Sequence, residues 1–393
     1  MATIATPQPP TLIDVPPGLK GVAVTETSIG DVLGEAGMYH YRGHDAIELA
    51  RERTFEDVWQ LVLDGSLPAG PEEREGFSAE VRTGRELPTS FDDVLATLAR
   101  GGSTLDGLRT ALSVVATERA CRPVVDADPS ERRHDAIALA AVTPTLLCAL
   151  HRLRAGLDPI EPRGDLGHAA NLLWMLHGRE APAGHVRAVE QYLIATIDHG
   201  FNASTFTARV VASTGADVGA CLVAAIGAMS GPLHGGAPSR ALDLIDAVGS
   251  ADRIDEVVGP LIRRGDRIMG FGHPVYRTAD PRSVMLAGLA PGLARTREQR
   301  RFVELANAVE DGVVRMLAEH KPERRLRANV EFYAGVVMEL CGIPREMFTP
   351  TFVCGRVVGW GAHVLEQASS ARIIRPSARY LGPPPAITPI SRP

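Results

Sequence analysis

Lysine is almost missing from this chain of 393 residues, because Lys20 and Lys321 are the only two. The net charge is −6, and basic residues never form a block of five or more. This excludes the basic surface that is typical of proteins that bind nucleic acid or anionic membranes. Arginine carries nearly all the positive charge, and it binds carboxylate and phosphate through paired hydrogen bonds. A compositional bias of the genome explains the same ratio, so the bias alone predicts no site.

Aromatic residues and cysteines are also scarce. Aromatics make up 5% of the chain, whereas 45% is apolar and 22% is charged. Alanine, valine and leucine fill the periodic stretches, so we expect a helical core of small and aliphatic side chains. The five cysteines are an odd number and lie far apart, which argues against a disulfide framework and a CxxC metal site. A reducing cytoplasm fits this pattern.

No apolar run is long enough to cross a membrane. The longest, residues 136–150, has about 15 residues with Pro144 inside it, and a membrane helix needs roughly 20. Residues 1–17 lack the basic and apolar regions of a signal peptide and are rich in proline, so they predict a disordered tail. We therefore expect no membrane contact and a cytoplasmic location.

Apolar periodicity predicts an almost all-α protein of two or three domains. Residues 18–35 are expected to be partly extended. Residues 269–281 break all periodicity with two glycines and two prolines, and this irregular loop is a candidate site. The predicted helices are 54–63, 91–98, 105–118, 136–153, 166–176, 185–199, 204–214, 217–229, two within 238–264, then 298–320, 332–341 and 348–367.

Three histidines, His199, His234 and His273, lie in glycine-rich contexts at the ends of predicted helices. Each is either a structural group or a site residue. Near a helix N-terminus an imidazole stays neutral and can donate to a developing oxyanion. None belongs to an HxH or HxxxH pair, so no metal site is predicted. The chain also lacks the dinucleotide, Walker and GxSxG motifs.

Charged residues in apolar surroundings form a second set of candidates. Arg282, Arg356 and Arg375 are either structural ion pairs or, if they converge, a pocket for a substrate with two or more carboxylates. Glu331 lies in the first turn of an apolar helix. There it is either an ordinary carboxylate favoured by the helix dipole or a general base.

Several short motifs occur in the order in which citrate synthases carry them, and the chain resembles that family from about residue 18 to 383. The motifs are GPLHGGA (231–237), MGFGH (269–273), YR (276–277), DPR (280–282), NVEFY (329–333), MFTP (347–350), GW (359–360) and AHVLEQ (362–367). YRGHD (41–45) and residues 198–214 extend the similarity through the first half of the chain. A set of motifs in order is far more specific than any one of them.

The resemblance implies a helical homodimer without a metal or cofactor. Residues 18–236 and 342–393 would form a large domain, and residues 237–341 an inserted small domain that closes over the substrates. The enzyme would be a transferase at the entry of the tricarboxylic acid cycle. It would condense acetyl-CoA with oxaloacetate and water to give citrate and CoA.

The resemblance also implies residue roles. His234 would donate a hydrogen bond to the thioester carbonyl, His273 would polarise the oxaloacetate ketone, and Glu331 would remove the methyl proton. The residues that would hold the oxaloacetate carboxylates are His199, Arg282, Arg356 and, reaching across the dimer, Arg375. The residues that would contact CoA are Arg277 and, through their backbone, Met269, Gly270 and Phe271.

Three positions depart from the family pattern. Glu331 replaces the usual aspartate, which moves the carboxylate by about 1.5 Å, one C–C bond, if the backbone is unchanged. Some bacterial paralogues of the family share the glutamate at position 331. Pro274 and Ser377 stand where many bacterial members have arginine. The acyl preference therefore stays open between acetyl-CoA and propionyl-CoA, which would give 2-methylcitrate. A weakly active paralogue that binds oxaloacetate or acyl-CoA, and an all-α scaffold without a ligand, are the remaining alternatives.

Overall fold

Three short strands come first along the chain, and helices make up most of the rest. The computed structural model describes residues 12–87, 91–235, 237–273, 275–276, 278–320, 322, 326–370 and 372–383. In that part the strands are β1 (Gly30–Leu33), β2 (Met38–Tyr41) and β3 (His44–Asp45). The helices of the first half are α1 (Ala46–Glu52), α2 (Phe55–Asp64), α3 (Pro71–Gly84), α4 (Asp92–Ala99), α5 (Thr104–Glu118), α6 (Pro129–Arg154), α7 (His168–His177), α8 (Ala183–Thr196), α9 (Ala203–Ala212) and α10 (Val218–Met229). Those of the second half are α11 (Ala237–Val248), α12 (Ile254–Arg264), α13 (Pro281–Leu293), α14 (Arg297–His320), α15 (Val330–Leu340) and α16 (Phe348–Ala368). The prediction of a mostly helical fold is confirmed.

Local capping decides where several helices begin. Asp128 accepts from the backbone N–H groups of Ser130 and Glu131, and the Glu131 side chain accepts from the Asp128 backbone. This capping box starts α6 at Pro129, ahead of the predicted start at residue 136. The sequence analysis did not predict α1, α3 and α13. In α3 only three residues are buried, so its apolar period is weak.

The core helix α6 is buried from residue 136 to residue 150. Its length and composition would allow it to cross a membrane, but 83% of its most apolar window is buried inside the protein. Burial of that kind is expected of a core helix. It packs against α3, α4, α5, α7 and α16.

Helix α16 crosses the end of α8 at very short range. A Cβ on Gly355 would lie 2.8 Å from the carbonyl oxygen of Leu193, and a Cβ on Gly359 would overlap the carbonyl oxygen of Ile197. Only glycine allows this approach, because no real Cβ tolerates such contacts. The crossing places Arg356 beside the chain that leads from α8 to His199.

Helices α11 to α15 pack largely on one another, with α15 between α11 and α13, and α12 against α14. They meet the rest of the chain where α13 and α15 contact α8 and where α11 contacts α16. This group coincides with the predicted inserted segment, residues 237–341. Its status as a separate domain stays a prediction.

The small sheet covers the same end of α8. Strands β1 and β2 are antiparallel, with Gly30 opposite Tyr41 and Leu33 opposite Met38. Both Tyr39 and Tyr41 are buried, and their hydroxyl groups donate to the carbonyl oxygens of Ala195 and Ile194. The predicted extended segment, residues 18–35, contains β1, whereas the pairing with β2 was not predicted.

The predicted disordered tail falls mostly outside the described residues, which begin at residue 12. From there residues 12–16 have no helix or strand, and a 3₁₀ turn follows at Pro17–Leu19. Asp14 forms an ion pair of 2.8 Å with Arg379, so the two ends of the described chain lie together.

Candidate active site

Six of the predicted site residues line one cavity of about 480 Å³ between the α11–α15 group and the rest of the chain. Three of them lie outside the α11–α15 group. They are His199 after α8, His234 after α10, and Arg356 on α16. The other three are His273 in the irregular loop, Arg282 in the first turn of α13, and Glu331 in the first turn of α15. These residues lie up to 157 positions apart in the sequence, and the fold brings them together.

His273 is held in one tautomer by the loop that follows it. Its Nδ1 accepts from the backbone N–H groups of Val275 (3.1 Å) and Tyr276 (3.2 Å). Burial and the nearby Arg282 lower the pKa of His273 to about 4, so the ring is neutral at pH 7. A neutral ring that accepts at Nδ1 carries its proton on Nε2. This Nε2–H faces Arg282, whose Nη2 lies 3.4 Å away, so both groups can donate to one anionic oxygen that enters the cavity.

Arg282 is fixed by a buried carboxylate. Its Nε and Nη2 donate to the two oxygens of Asp280 at 3.0 and 2.8 Å, and both side chains are almost fully buried. Asp280 also accepts from the backbone N–H of Val330, at the start of α15. Although burial opposes ionisation, Arg282 lowers the pKa of Asp280. The pair is thus a structural ion pair that also presents a guanidinium to the cavity.

Arg356 has no such partner. Its Nε donates to the carbonyl oxygen of Thr196 at 2.7 Å, and its guanidinium lies 4.8 Å from the centroid of the Phe352 ring. In the described chain no carboxylate lies within ion-pair distance of it, and the side chain is 2% exposed. Burial lowers the pKa of Arg356. The charge of Asp198, which is hydrogen-bonded to His363, opposes this effect only in part. A buried guanidinium that forms no direct ion pair favours an anionic ligand.

His199 lies between the ring of Tyr39 on strand β2 and the ring of His273 in the irregular loop. Its ring centroid is 5.2 Å from that of Tyr39 and 5.3 Å from that of His273. Its Nε2 lies 2.9 Å from the hydroxyl of Tyr276. Burial, followed by the charge of Arg282, lowers the pKa of His199 well below its usual value. The ring is therefore neutral and ready for hydrogen bonding rather than ion pairing.

His234 is oriented by a serine. Its Nε2 lies 2.8 Å from Ser204 Oγ, and the indole N–H of Trp360 donates to the same oxygen at 3.2 Å. The single hydroxyl hydrogen of Ser204 has two acceptors, His234 Nε2 and Asn202 Oδ1, and Asn202 Oδ1 keeps a lone pair for it beside the helix-cap bond from the Thr205 backbone. When the hydroxyl donates to His234 Nε2, the neutral imidazole carries its own proton on Nδ1, towards the substrate. Burial lowers the pKa of His234 to about 4, so this ring is also neutral.

Glu331 sits at a helix N-terminus that the candidate loop holds in place. Asn329 donates its backbone N–H to Gly270 and its side chain to Gly272, and it accepts from the Glu331 backbone. Burial raises the pKa of Glu331 to about 7, against smaller opposing effects of Arg267 and Arg282. A carboxyl group with a pKa near the working pH suits a general base.

Three of the four predicted CoA contacts, Met269, Gly270 and Phe271, do not line this cavity. Phe271 pairs with Ala328 in an isolated bridge, its ring packs on Phe332, and it is 7% exposed. Gly270 and Gly272 use backbone groups to bind residues 327–329, and neither Met269, Gly270 nor Phe271 lines the cavity. Arg277 lies outside the described residues. The CoA assignment therefore stays a prediction.

Arg375 is exposed in the extended C-terminal segment and lines a different groove between the two ends of the chain. The structure does not bring it to the cavity of its own chain. Its predicted role was to reach across a dimer, which stays a prediction.

Sequence reasoning missed several neighbours that orient the site. Ser204 and Trp360 hold His234, and Tyr276 contacts His199. Tyr276 and Trp360 stood in the quoted motifs, but a motif does not say which ring a hydroxyl or indole reaches. Three or more His, Cys, Asp or Glu residues do not cluster as metal ligands anywhere in the described residues.

Comparison with known proteins gives one consistent result. The family model described as "Citrate synthase, C-terminal domain" matches residues 18–377. A citrate synthase of Acidithiobacillus ferridurans is 36% identical over 369 residues, which are 93% of this chain and 95% of that protein. The citrate synthase structure of Thermotoga maritima has a TM-score of 0.82 at 35% identity and covers 96% of this chain and 99% of its own. The Thermoplasma acidophilum enzyme, solved with carboxymethyl coenzyme A and oxaloacetate, has a TM-score of 0.85 at 26% identity, with 94% and 97% covered.

Proposed function

Because this chain belongs to the citrate synthase family and is an enzyme of its condensation chemistry, we propose that its substrates are acetyl-CoA, oxaloacetate and water and that its products are citrate and CoA. The observation that carries the proposal is the buried guanidinium of Arg356, which has no carboxylate within ion-pair distance in the described chain, in a cavity that also holds neutral histidines and a carboxyl group of raised pKa. The guanidinium binds a carboxylate, and the histidines and the carboxyl group together move a proton next to a carbonyl.

Oxaloacetate fits the positive end of the cavity. Arg282 and Arg356 supply two guanidinium groups for two carboxylates, and neutral His199 supplies a further donor. The Nε2–H of His273 would then donate to the ketone oxygen and draw electron density from the carbon that is attacked. The bound oxaloacetate in the Thermoplasma acidophilum enzyme supports this assignment.

Proton removal from acetyl-CoA needs both His234 and Glu331. A thioester α-proton lies roughly ten pKa units above an ordinary carboxylic acid, and at about 1.36 kcal/mol a unit this is on the order of 14 kcal/mol. The raised pKa of Glu331 closes part of that gap. A preorganised donor from His234 Nδ1 would stabilise the enolate oxygen as charge develops, which is worth several kcal/mol in a site shielded from water.

Bond formation and hydrolysis complete the reaction. The enolate carbon attacks the ketone carbon of oxaloacetate as the C=O π bond breaks. The alkoxide that forms accepts a hydrogen bond from His273 Nε2–H and is neutralised by the proton that Glu331 removed, so His273 stays a neutral imidazole. Water then cleaves the thioester of citryl-CoA, and CoA leaves as the thiol. We propose that the enzyme does this without metal or cofactor, as a homodimer in the cytoplasm.

Thiol release from purified protein tests the proposal. Acetyl-CoA and propionyl-CoA are compared side by side, with and without oxaloacetate and in the presence of EDTA. We expect oxaloacetate-dependent release that is faster with acetyl-CoA. A preference for propionyl-CoA would move the assignment to 2-methylcitrate synthesis, since one methyl pocket is worth only about 1 to 3 kcal/mol. No release with either thioester would favour a paralogue that binds these ligands without turnover.

A further inference from the structure

The turn between β1 and β2 lies directly against the loop that carries His273. A Cβ on Gly34 would overlap the carbonyl oxygen of Val275 and lie 2.9 Å from its carbonyl carbon. A Cβ on Gly37 would overlap Thr278 Oγ1. Gly34 therefore meets the backbone of the loop, and Gly37 meets a side chain three residues further on. The backbone contact at Gly34 leaves no room for a larger residue unless the loop shifts, whereas at Gly37 the exposed Thr278 side chain would have to move.

The peptide group that Gly34 contacts is also one that orients His273. The Val275 carbonyl and the Tyr276 N–H belong to the same planar unit, so a push on the oxygen tilts the N–H. That N–H donates to His273 Nδ1 at 3.2 Å, beside the Val275 N–H at 3.1 Å. The Tyr276 side chain in turn reaches His199 Nε2 at 2.9 Å. A shift of the β1–β2 turn would therefore change the orientation of both the His273 ring and the His199 ring.

We propose that Gly34 and Gly37 are positioning residues for the condensation, because their lack of a side chain lets the β1–β2 turn hold Val275, Tyr276 and Thr278 in the arrangement that aims His273 Nε2 at the substrate ketone. The inference rests on the proposed function for its catalytic consequence. Its structural part, the fixed orientation of the Val275–Tyr276 peptide, is independent of any substrate.

The first experiment compares Gly34→Ala with Gly101→Ala. Gly101 is a matched control, because it also lies in a loop at an ordinary φ but a Cβ there meets no atom within 4 Å. We expect kcat to fall about 10- to 100-fold in Gly34→Ala, since a misplacement near 1 Å has that effect. The KM for acetyl-CoA should stay within about twofold, because His234 and Glu331 are untouched. An unchanged kcat in folded Gly34→Ala would overturn the proposal.

Hydrogen exchange separates this inference from the proposed function. The amides of Val275 and Tyr276 are bonded to His273, so we expect protection in the wild type and in Gly101→Ala and faster exchange in Gly34→Ala. This result does not depend on turnover. Equal protection in all three proteins would refute the positioning role even if none of them released thiol.

A double-mutant cycle tests Gly37. Gly37→Ala introduces both a contact with Thr278 and strain at its φ of +66°, whereas Thr278→Ala removes the hydroxyl that the new Cβ would strike. We expect the Gly37→Ala, Thr278→Ala double variant to be at least about fivefold faster than Gly37→Ala. A double variant as slow as Gly37→Ala would show that strain within the turn, and not its contact with the loop, lowers the rate.

Discussion

Glu331 lies in the first turn of α15, whose start is fixed by three hydrogen bonds. Asn329 binds Gly270 through its backbone and caps Glu331 through its side chain, while the Val330 N–H binds Asp280. The backbone at this position therefore has little freedom to adjust to side-chain length. The length of the glutamate side chain, and not a movement of the helix, therefore sets the distance between the carboxylate and the α-proton of the thioester.

Removal of this carboxylate should abolish most of the activity. We expect Glu331→Gln to lower kcat by about 10²- to 10⁴-fold, the usual contribution of a positioned general base. The kcat of Glu331→Asp should fall between those of the wild type and Glu331→Gln. Because the backbone is fixed, the shorter side chain moves the carboxylate back by about 1.5 Å. Thiol release measures both variants. A fully active Glu331→Gln would place the base elsewhere.

The pH dependence should show the same group. The base acts when ionised, and the pKa of Glu331 is raised to about 7, so kcat/KM for acetyl-CoA should rise with pH up to about 7 and then level off. Below that pH the rate should fall about tenfold per unit, as one protonation removes the base. A rate that stays constant down to about pH 5 would contradict Glu331 as the base.

Ser204 gives a second test at this scale. Ser204→Ala removes the hydroxyl that binds His234 Nε2 and leaves the indole N–H of Trp360 without its acceptor. We expect a fall in kcat of about 10- to 100-fold, equivalent to the roughly 1 to 3 kcal/mol of a buried unmet hydrogen bond. Oxaloacetate binding, followed by calorimetry, should be nearly unchanged. Loss of oxaloacetate affinity would instead indicate general damage to the cavity.

At the scale of elements, the crossing of α16 over the end of α8 sets the position of Arg356. Gly359→Ala would force the helix away from the carbonyl oxygen of Ile197. Alanine gains up to about 1 kcal/mol of helix propensity, but overpacking of a tight contact costs about 1 to 3 kcal/mol or more. We therefore expect a net loss of unfolding free energy, measured by urea titration. Gly361→Ala on the same helix is the control, since its Cβ meets Ala136 at an ordinary 3.4 Å.

The sequence predicted the long apolar helices better than the polar ones. Periodicity located α14, α15 and α16 within one or two residues of their ends, because each buries a continuous apolar face. It missed α3, which buries little, and it started α6 late because a capping box, not apolar spacing, begins that helix. The same reasoning found the histidines and arginines of the cavity. It could not find Ser204 or the Gly34 contact, because both depend on segments that are distant in sequence.

At the scale of the whole molecule, the predicted dimer would complete the site through Arg375. Mixed dimers test this directly. Arg375→Ala and Glu331→Gln should each be nearly inactive alone. If Arg375 serves the other subunit, a mixed dimer holds one site with both residues intact, so random exchange of equal amounts should restore about a quarter of wild-type activity. If both variants are inactive alone and mixing restores nothing, Arg375 acts within its own chain; an active Arg375→Ala would mean that it has no role.

Trp360 shares the oxygen of Ser204 with His234, so its indole lies two hydrogen bonds from the ring of His234 and three from the place proposed for the thioester carbonyl. The protein thereby contains its own optical reporter. The other tryptophans lie elsewhere, Trp59 among Phe55, Phe77 and His168, and Trp174 beside Arg163. In a chain with both of those replaced by phenylalanine, the emission of Trp360 would follow acyl-CoA binding in real time, without a label and before any product forms.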